Sequence, residues 1–197
     1  MENKAILIVD DSDFERNTLS KALSEKGGFT IIQANGGDSC FELIKTNKVD
    51  VILMDIMMPG VYGNQILLKI REQFNAIELP IIMVTAKTEP SDIIECLQNG
   101  ANDYIIKPVN FEVAISRILT HLKLADTSRE MSRLKEIEAL NALISKYNHE
   151  INNPLTIALG CLGESMLKKE GSVEKLKTAL WRIANIVKKI ESVSEAK

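Results

Sequence analysis

One short apolar run, Val51 to Met54, leads directly into Asp55 and constrains the fold more than any other stretch of this chain. A continuous apolar run of this length is typical of a strand that is buried on both faces, as in a parallel sheet. Pro59 and Gly60 close the segment. An aspartate just past such a strand lies at the carboxyl edge of the sheet, where open α/β sheets bind their ligands. Asp55 is therefore a candidate functional residue, with a solvated turn aspartate as the alternative.

Residues 1–125 repeat this pattern, because five short apolar strands alternate with five amphipathic helices through short connections. The predicted strands cover residues 5–9, 29–32, 51–54, 81–84 and 103–106. Ser12 and Asn110 can cap helices, and Gly100 suits a left-handed helix end. Such alternation predicts an α/β fold in which a five-stranded parallel, doubly wound sheet has helices on both faces.

In a parallel sheet all strand ends open on one edge, and here four of the five deliver polar side chains: Asp10 with Asp11, Asp55, Thr85 and Lys107. Three carboxylates in one place repel one another unless a cation neutralises them, and oxygen ligands with open water positions suit Mg²⁺. Lys107 can offset phosphoryl charge, Thr85 can donate a hydrogen bond, and Asp55 is then the nucleophile. Each residue alone reads as an ordinary surface group, but together they predict Mg²⁺-dependent phosphoryl transfer to Asp55.

The segments LIVDDSD, LMDIMMPGVYG, PIIMVTA and NGANDYIIKPV carry a specific resemblance. With the fivefold alternation, they make residues 1–125 similar to the flavodoxin-like receiver domain of two-component response regulators. The resemblance implies Asp55 as the phospho-acceptor and Asp10 and Asp11 as the acidic pair, with Asp11 the more direct metal ligand. It also implies that the backbone carbonyl of Met57 is the third protein contact to the metal.

The same resemblance assigns a switch to the neighbouring strand ends. Thr85 matches the switch hydroxyl, Tyr104 the switch aromatic and Lys107 the phosphate-pairing lysine of the family. The bond between Lys107 and Pro108 is implied to be cis. No departure from the family pattern is present at these positions.

Residues 126–197 follow a different, helical pattern, after a linker helix at about 126–136. Two apolar seams have heptad spacing; they consist of Ile137, Leu140, Ile144, Tyr147 and Ile151, and of Leu176, Leu180, Ile183, Val187 and Ile190. The segment Glu170-Gly171-Ser172 between them reads as a helix end and a new cap. These features predict an all-α hairpin that dimerises into a four-helix bundle, with a plain coiled-coil dimeriser as the alternative.

The junction between the two parts leaves two alternatives open. Thr127 to Glu130 reads as a capping box, so that a new helix would start there. If one helix instead ran from Asn110 to His149, phosphoryl transfer from Asp55 to His149 of the same chain would be awkward. The second copy or a separate receiver would then be the better partner.

His149 occupies an outward position of the first seam, with Glu150 beside it and Asn153 one helical turn further on. An outward histidine is either an idle surface residue or one that a partner must reach. The run HEINNPLT resembles the phospho-acceptor box of histidine kinases, in what resembles their dimerisation and histidine-phosphotransfer hairpin. This implies His149 as a phospho-acceptor, Glu150 as the residue that handles the proton, and Asn153 as the amide that positions a water for dephosphorylation.

Composition limits the remaining classes of function. The net charge is −3, split into −5 over residues 1–125 and +2 over residues 126–197, which gives no electrostatic case for nucleic acid or an anionic membrane. Three widely spaced cysteines match no zinc or redox motif and fit reduced thiols, so a cytoplasmic location is expected. No apolar run reaches the length of a membrane span.

Two functional hypotheses follow. In the first, a cognate histidine kinase phosphorylates Asp55, and His149 exchanges phosphoryl groups with a receiver or helps to remove them, in a homodimer built through residues 126–197. In the second, the hairpin only dimerises, or binds and regulates a histidine kinase, without histidine chemistry. The 26 residues after Gly171 contain no glycine and no nucleotide-binding loop, so we expect no autonomous kinase activity with ATP.

Overall fold

The chain divides into two compact units, Met1–Glu130 and Met131–Lys197. The computed structural model describes residues 4–60, 62–86, 89–162 and 172–195. The turn expected at Glu170 and Gly171 lies outside these residues. Over the described chain, no helix combines the length and the apolar character that crossing a membrane requires.

The first unit contains a five-stranded sheet in the order β2-β1-β3-β4-β5, and all neighbouring strands are parallel. The strands are β1 Ala5–Val9, β2 Thr30–Ala34, β3 Val51–Asp55, β4 Ile81–Thr85 and β5 Asp103–Ile106. This confirms the predicted parallel α/β fold. Strand β2 begins one residue later and ends two residues later than predicted, because its pairing with β1 continues to Ala34.

Six helices complete the described structure. They are α1 Asp13–Gly27, α2 Gly37–Thr46, α3 Gly63–Arg71, α4 Pro90–Gln98, α5 Phe111–Leu162 and α6 Ser172–Glu195. The predicted caps are present, since Ser12 Oγ accepts the Glu15 N–H at 3.4 Å and Asn110 Oδ1 accepts the Glu112 N–H at 3.1 Å. Gly100 has a φ of +97°, the left-handed conformation that ends α4.

The sheet is covered on both faces. Alternate residues of β3 point to opposite sides, so that Val51 and Leu53 pack with α1 and α5, and Ile52 and Met54 pack with α2, α3 and α4. All five residues of β3 are buried, as a central parallel strand requires. This two-sided burial fixes the direction of β3 and places Asp55 at its carboxyl end.

Helix α5 is continuous through Thr127 to Glu130, so the capping-box motif there does not start a new helix. The helix also continues through Pro154, which is buried. Lys107-Pro108 is a cis peptide bond, as the resemblance implies.

In the second unit, part of the predicted α6 seam is exposed in one copy of the chain. Leu180 and Val187 of that seam are 53% and 41% exposed, whereas Ala179 is buried. Ala158 of α5 is buried as well. Apolar side chains that are exposed in one copy are available to a second copy, so the predicted dimeric seam stays a prediction.

At the amino-terminal edge of the sheet, one cation that precedes β1 and one cation from α5 lie beside a buried carboxylate. Asp50 is buried; its Oδ2 accepts the Ala5 N–H at 3.0 Å, and its Oδ1 lies 3.8 Å from Lys4 Nζ and 3.7 Å from Arg129 Nη1. Arg129 also donates to the Glu78 carbonyl at 2.9 Å. The continuation of α5 therefore contributes a cation to the charge balance of the first unit.

We predict that Arg129→Ala lowers the free energy of unfolding by about 1 kcal/mol, because it removes one of the two cations beside a buried carboxylate. The expected loss is small because the Arg129 side chain is 45% exposed and its ion pair is screened by water. Urea unfolding followed by circular dichroism measures the change. Arg133→Ala, one turn further along α5 and also exposed, is the matched control. Equal losses in both variants would contradict the role of Arg129.

Candidate functional site

The carboxyl edge of the sheet brings together the side chains that the sequence placed at its strand ends. Asp10 follows β1, Asp55 ends β3, Thr85 ends β4 and Lys107 follows β5. Asp10 and Asp55 are only 6% and 5% exposed, and Thr85 is buried. The Lys107 N–H donates to the Thr85 carbonyl at 2.8 Å, which fixes the β5 end beside β4. Four strands thus meet in one polar cluster.

Lys107 is the cation that links these groups. Its Nζ donates to Asp55 Oδ2 at 2.9 Å and to Asp10 Oδ2 at 3.1 Å. It also forms an ion pair with Glu15, in the first turn of α1. A buried pair of carboxylates this close would repel strongly, and the shared ammonium group offsets that repulsion.

Burial and the hydrogen bonds of the shared Lys107 ammonium group shift the pKa values of the groups in this cluster. Burial raises the pKa of Asp10, and the hydrogen bonds from the Ser12 N–H and from Lys107 oppose that rise only in part. Burial alone would lower the pKa of Lys107, but its bonds to Glu15, Asp55 and Asp10 outweigh burial and raise its pKa. The hydrogen bond from Lys107 lowers the pKa of Glu15. Lys107 is therefore a permanent positive charge at neutral pH.

Backbone contacts hold Asp55 in place. Its Oδ1 accepts the Met57 N–H at 3.2 Å, so one carboxylate oxygen is bound by backbone and the other by Lys107. Gly63 begins α3 directly against this segment: its N–H donates to the Ile56 carbonyl at 3.0 Å. A Cβ atom on Gly63 would lie 2.2 Å from the Asp55 carbonyl oxygen. Only glycine lets α3 start this close to Asp55.

Three carboxylates are placed to share a cation. One oxygen from each of Asp10, Asp11 and Asp55 lies within 4.8 Å of the others. Asp11 is exposed, which leaves one side of the cluster open to water. Hard oxygen ligands with room for water match the requirements of Mg²⁺. The residues present therefore fit the predicted magnesium ion.

Tyr104 lies on β5, with its ring partly buried against the core. The Arg117 guanidinium carbon is 5.7 Å from the Tyr104 ring centroid, and Arg117 forms an ion pair with Asp103. Burial alone would raise the pKa of Asp103, but hydrogen bonds from Arg117 and from the Tyr104 N–H lower it. The predicted switch aromatic is therefore held by charged neighbours that sequence reasoning did not include.

In the second unit, the structure places the predicted His149 site on the surface of α5. His149 and Asn153 are exposed and Glu150 is half-buried. The Glu150 carboxylate lies 4.0 Å from Lys146 Nζ. His149 is thus accessible to a partner in one copy of the chain.

Glu15 is the site residue that sequence reasoning missed. The available signal was its position four residues after Asp11, in the first turn of the helix that follows β1. That turn lies at the carboxyl edge of the sheet, so one of its faces points toward the strand ends.

Comparison with known proteins places this geometry in a family. Residues 6–119 match the response regulator receiver domain family. The chain is 37% identical over 132 residues to the transcriptional regulatory protein YvrH of Bacillus subtilis, covering 67% of this chain and 54% of that protein. It is 39% identical over 118 residues to the transcriptional regulatory protein SrrA of Staphylococcus aureus, covering 60% of this chain and 47% of that protein.

Solved structures of response regulators are also similar to this chain. A Francisella response regulator 1452 receiver domain has a TM-score of 0.57 at 31% identity, covering 61% of this chain and 98% of that one. A two-component response regulator from Clostridium difficile has a TM-score of 0.57 at 30% identity, covering 61% and 97%. The chain spans about half the length of the curated relatives it matches. Because those relatives are named transcriptional regulatory proteins, the expectation that nucleic acid is not a partner gains no support.

We predict that Gly63→Ala destabilises the first unit by about 1–3 kcal/mol, because the added Cβ forces α3 away from the backbone of Asp55. Thermal unfolding measures the loss. Gly36→Ala is the control, since a Cβ there meets no atom within 4 Å. A Gly63→Ala variant as stable as Gly36→Ala would contradict the close approach.

Proposed function

The chain belongs to the response regulator receiver domain family, and from that premise we propose that it is a two-component signalling protein that accepts a phosphoryl group on Asp55. The observation that carries the proposal is the environment of Asp55, a buried carboxylate 2.9 Å from the Lys107 ammonium and within 4.8 Å of Asp10 and Asp11 oxygens. A phosphorylated histidine kinase is the proposed donor.

The chemistry assigned to the chain is a displacement at phosphorus. An Asp55 carboxylate oxygen forms a bond to the phosphorus atom of the donor phosphohistidine, and the P–N bond breaks with its electron pair on the imidazole nitrogen. Lys107 and the Thr85 hydroxyl would stabilise charge on the phosphoryl oxygens. A magnesium ion held by Asp10, Asp11, Asp55 and the Met57 carbonyl would supply further charge neutralisation. Thr85 and Tyr104 would then carry the change to the surface of β5.

For the second unit, the proposal is phosphoryl exchange at His149 with a receiver, in a homodimer formed through residues 126–197. Support comes from the exposure of His149 and Asn153 on α5, with Glu150 adjacent. In this scheme Glu150 handles the imidazole proton and Asn153 positions a water for dephosphorylation. The partners are a cognate histidine kinase and a downstream receiver.

The second candidate function, dimerisation or kinase binding without histidine chemistry, is favoured by a different observation. Ile137, Leu140 and Ile144 of α5 are 47%, 55% and 50% exposed in one copy of the chain. Apolar side chains in a row at helical spacing favour a partner helix. This surface serves a dimer whether or not His149 is phosphorylated.

Labelled phosphoryl groups supplied by a promiscuous histidine kinase separate the two functions. An acyl phosphate on Asp55 is lost in base, whereas phosphohistidine survives base and is lost in acid. We expect base-labile label in the full chain that disappears in Asp55→Asn, and base-stable label that disappears in His149→Gln. The chain has two histidines, so His121→Gln is the matched control.

The outcomes have distinct meanings. Label that persists in Asp55→Asn would refute phosphoryl acceptance at that residue. Absence of base-stable label, with separate receivers also offered as donors, would reject exchange at His149 and leave the second function.

Magnesium binding gives a further prediction. We expect Asp11→Asn to weaken Mg²⁺ binding at least about tenfold, since even an outer-shell partner of a metal site costs that much. Isothermal titration calorimetry measures the affinity, and chelation with EDTA should abolish transfer to Asp55. Asp13→Asn removes the same charge two residues away and is the control. Equal Mg²⁺ affinities for both variants would exclude Asp11 as a ligand.

A further inference from the structure

The Lys107 ammonium group has no spare hydrogen-bond donor. A lysine has three N–H groups, and here they face three carboxylates: Asp55 Oδ2 at 2.9 Å, Asp10 Oδ2 at 3.1 Å and the Glu15 carboxylate. Lys107 would have to bind an oxygen of a phosphoryl group on Asp55 and also keep its buried partner Asp10. Its third bond, to Glu15, therefore decides how freely the Lys107 ammonium group can turn.

The three partners differ in what their release costs. Asp10 is buried, so leaving its charge without Lys107 is expensive. The Glu15 side chain is 46% exposed, so water can replace Lys107 around its carboxylate at small cost. Glu15 is therefore the partner that Lys107 can leave most easily.

The position of Glu15 is tied to the site through its helix. The Ser12 N–H donates to Asp10 Oδ1 at 2.8 Å, and Ser12 Oγ accepts the Glu15 N–H at 3.4 Å. Arg16 donates to the Asp10 carbonyl at 2.7 Å. The first turn of α1 is thus anchored on Asp10, and it presents Glu15 beside Lys107.

There is also space for the exchange. Asp10, Glu15 and Lys107 line a cavity of about 240 Å³ that Phe14 and Pro108 border. Because the Glu15 side chain is 46% exposed, its carboxylate can turn toward water when it leaves Lys107.

We propose that Glu15 is a positioning residue that holds Lys107 in the unphosphorylated protein and competes with the phosphoryl group for it. The inference rests on the proposed function of Asp55. Glu15 adds a fourth negative charge at the edge where Asp10, Asp11 and Asp55 already lie. It therefore raises the barrier to phosphorylation and weakens the phosphorylated state, so that its removal strengthens binding of a phosphoryl group.

Beryllofluoride, which mimics an aspartyl phosphate, tests this in the full chain at saturating Mg²⁺ by calorimetry. We expect Glu15→Gln, which keeps the length of the side chain but not its charge, to bind beryllofluoride about two- to fivefold more tightly, the range that a partly exposed ion pair produces. Asp13→Asn, which removes a charge from the same helical turn without touching Lys107, should bind like wild type. Glu15→Asp is one methylene shorter and loses the contact with Lys107 but keeps the negative charge, so it should bind beryllofluoride more tightly than wild type and less tightly than Glu15→Gln.

Thermal midpoints of the variants accompany the titrations, because a merely structural role would lower the midpoint and weaken binding. Equal or weaker binding by Glu15→Gln, or wild-type binding by Glu15→Asp, overturns the positioning role while Asp55 remains an acceptor. If wild type fails to bind beryllofluoride, or Asp55→Asn binds it equally well, the proposed function fails and the inference fails with it.

Discussion

Charge balance at the carboxyl edge of the sheet is the interaction on which this molecule depends. Asp10 and Asp55 are buried at adjacent strand ends, and a buried carboxylate is costly unless a cation accompanies it. Lys107 supplies that cation from a third strand end and so connects β1, β3 and β5. Because the proposed phosphoryl transfer would use the same ammonium group, the contacts that stabilise the fold are those that this chemistry would rearrange.

The parts of this site that sequence could predict are those set by the backbone. A buried parallel strand has one direction and one carboxyl end, so Asp10, Asp55, Thr85 and Lys107 had to meet once the alternation was recognised. Glu15 was missed because its contact depends on how α1 rotates about its axis, which the apolar pattern of that helix constrains weakly. Arg117 was missed for a similar reason, since its approach to Tyr104 depends on side-chain direction rather than on strand order.

At the opposite edge of the sheet another buried carboxylate needs its charge balanced, and different cations do so. Asp50 is a buried carboxylate at the amino-terminal edge, and its neighbouring cations are Lys4 and Arg129. The family match ends at residue 119, yet Arg129 lies beyond it on the continuous helix α5. The first unit therefore uses residues outside the matched domain to balance one of its own buried charges. A domain boundary at residue 125 would separate Asp50 from Arg129. The part of α5 up to Glu130 therefore contributes to the stability of the first unit.

The two proposed phosphorylation sites differ in how much of the required chemistry one chain provides. Around Asp55, a single unit supplies the nucleophile, the acidic cluster and the cation, all within hydrogen-bonding or metal-binding reach. Around His149, α5 supplies an exposed imidazole, and the adjacent Glu150 carboxylate lies near Lys146. Phosphoryl transfer needs charge neutralisation as well as a nucleophile. In the scheme proposed for His149, a docked receiver domain would bring a buried carboxylate, a cation and a metal ion to the exposed imidazole. Phosphoryl exchange at His149 would thus depend on docking, whereas the groups proposed to act with Asp55 lie at its own sheet edge.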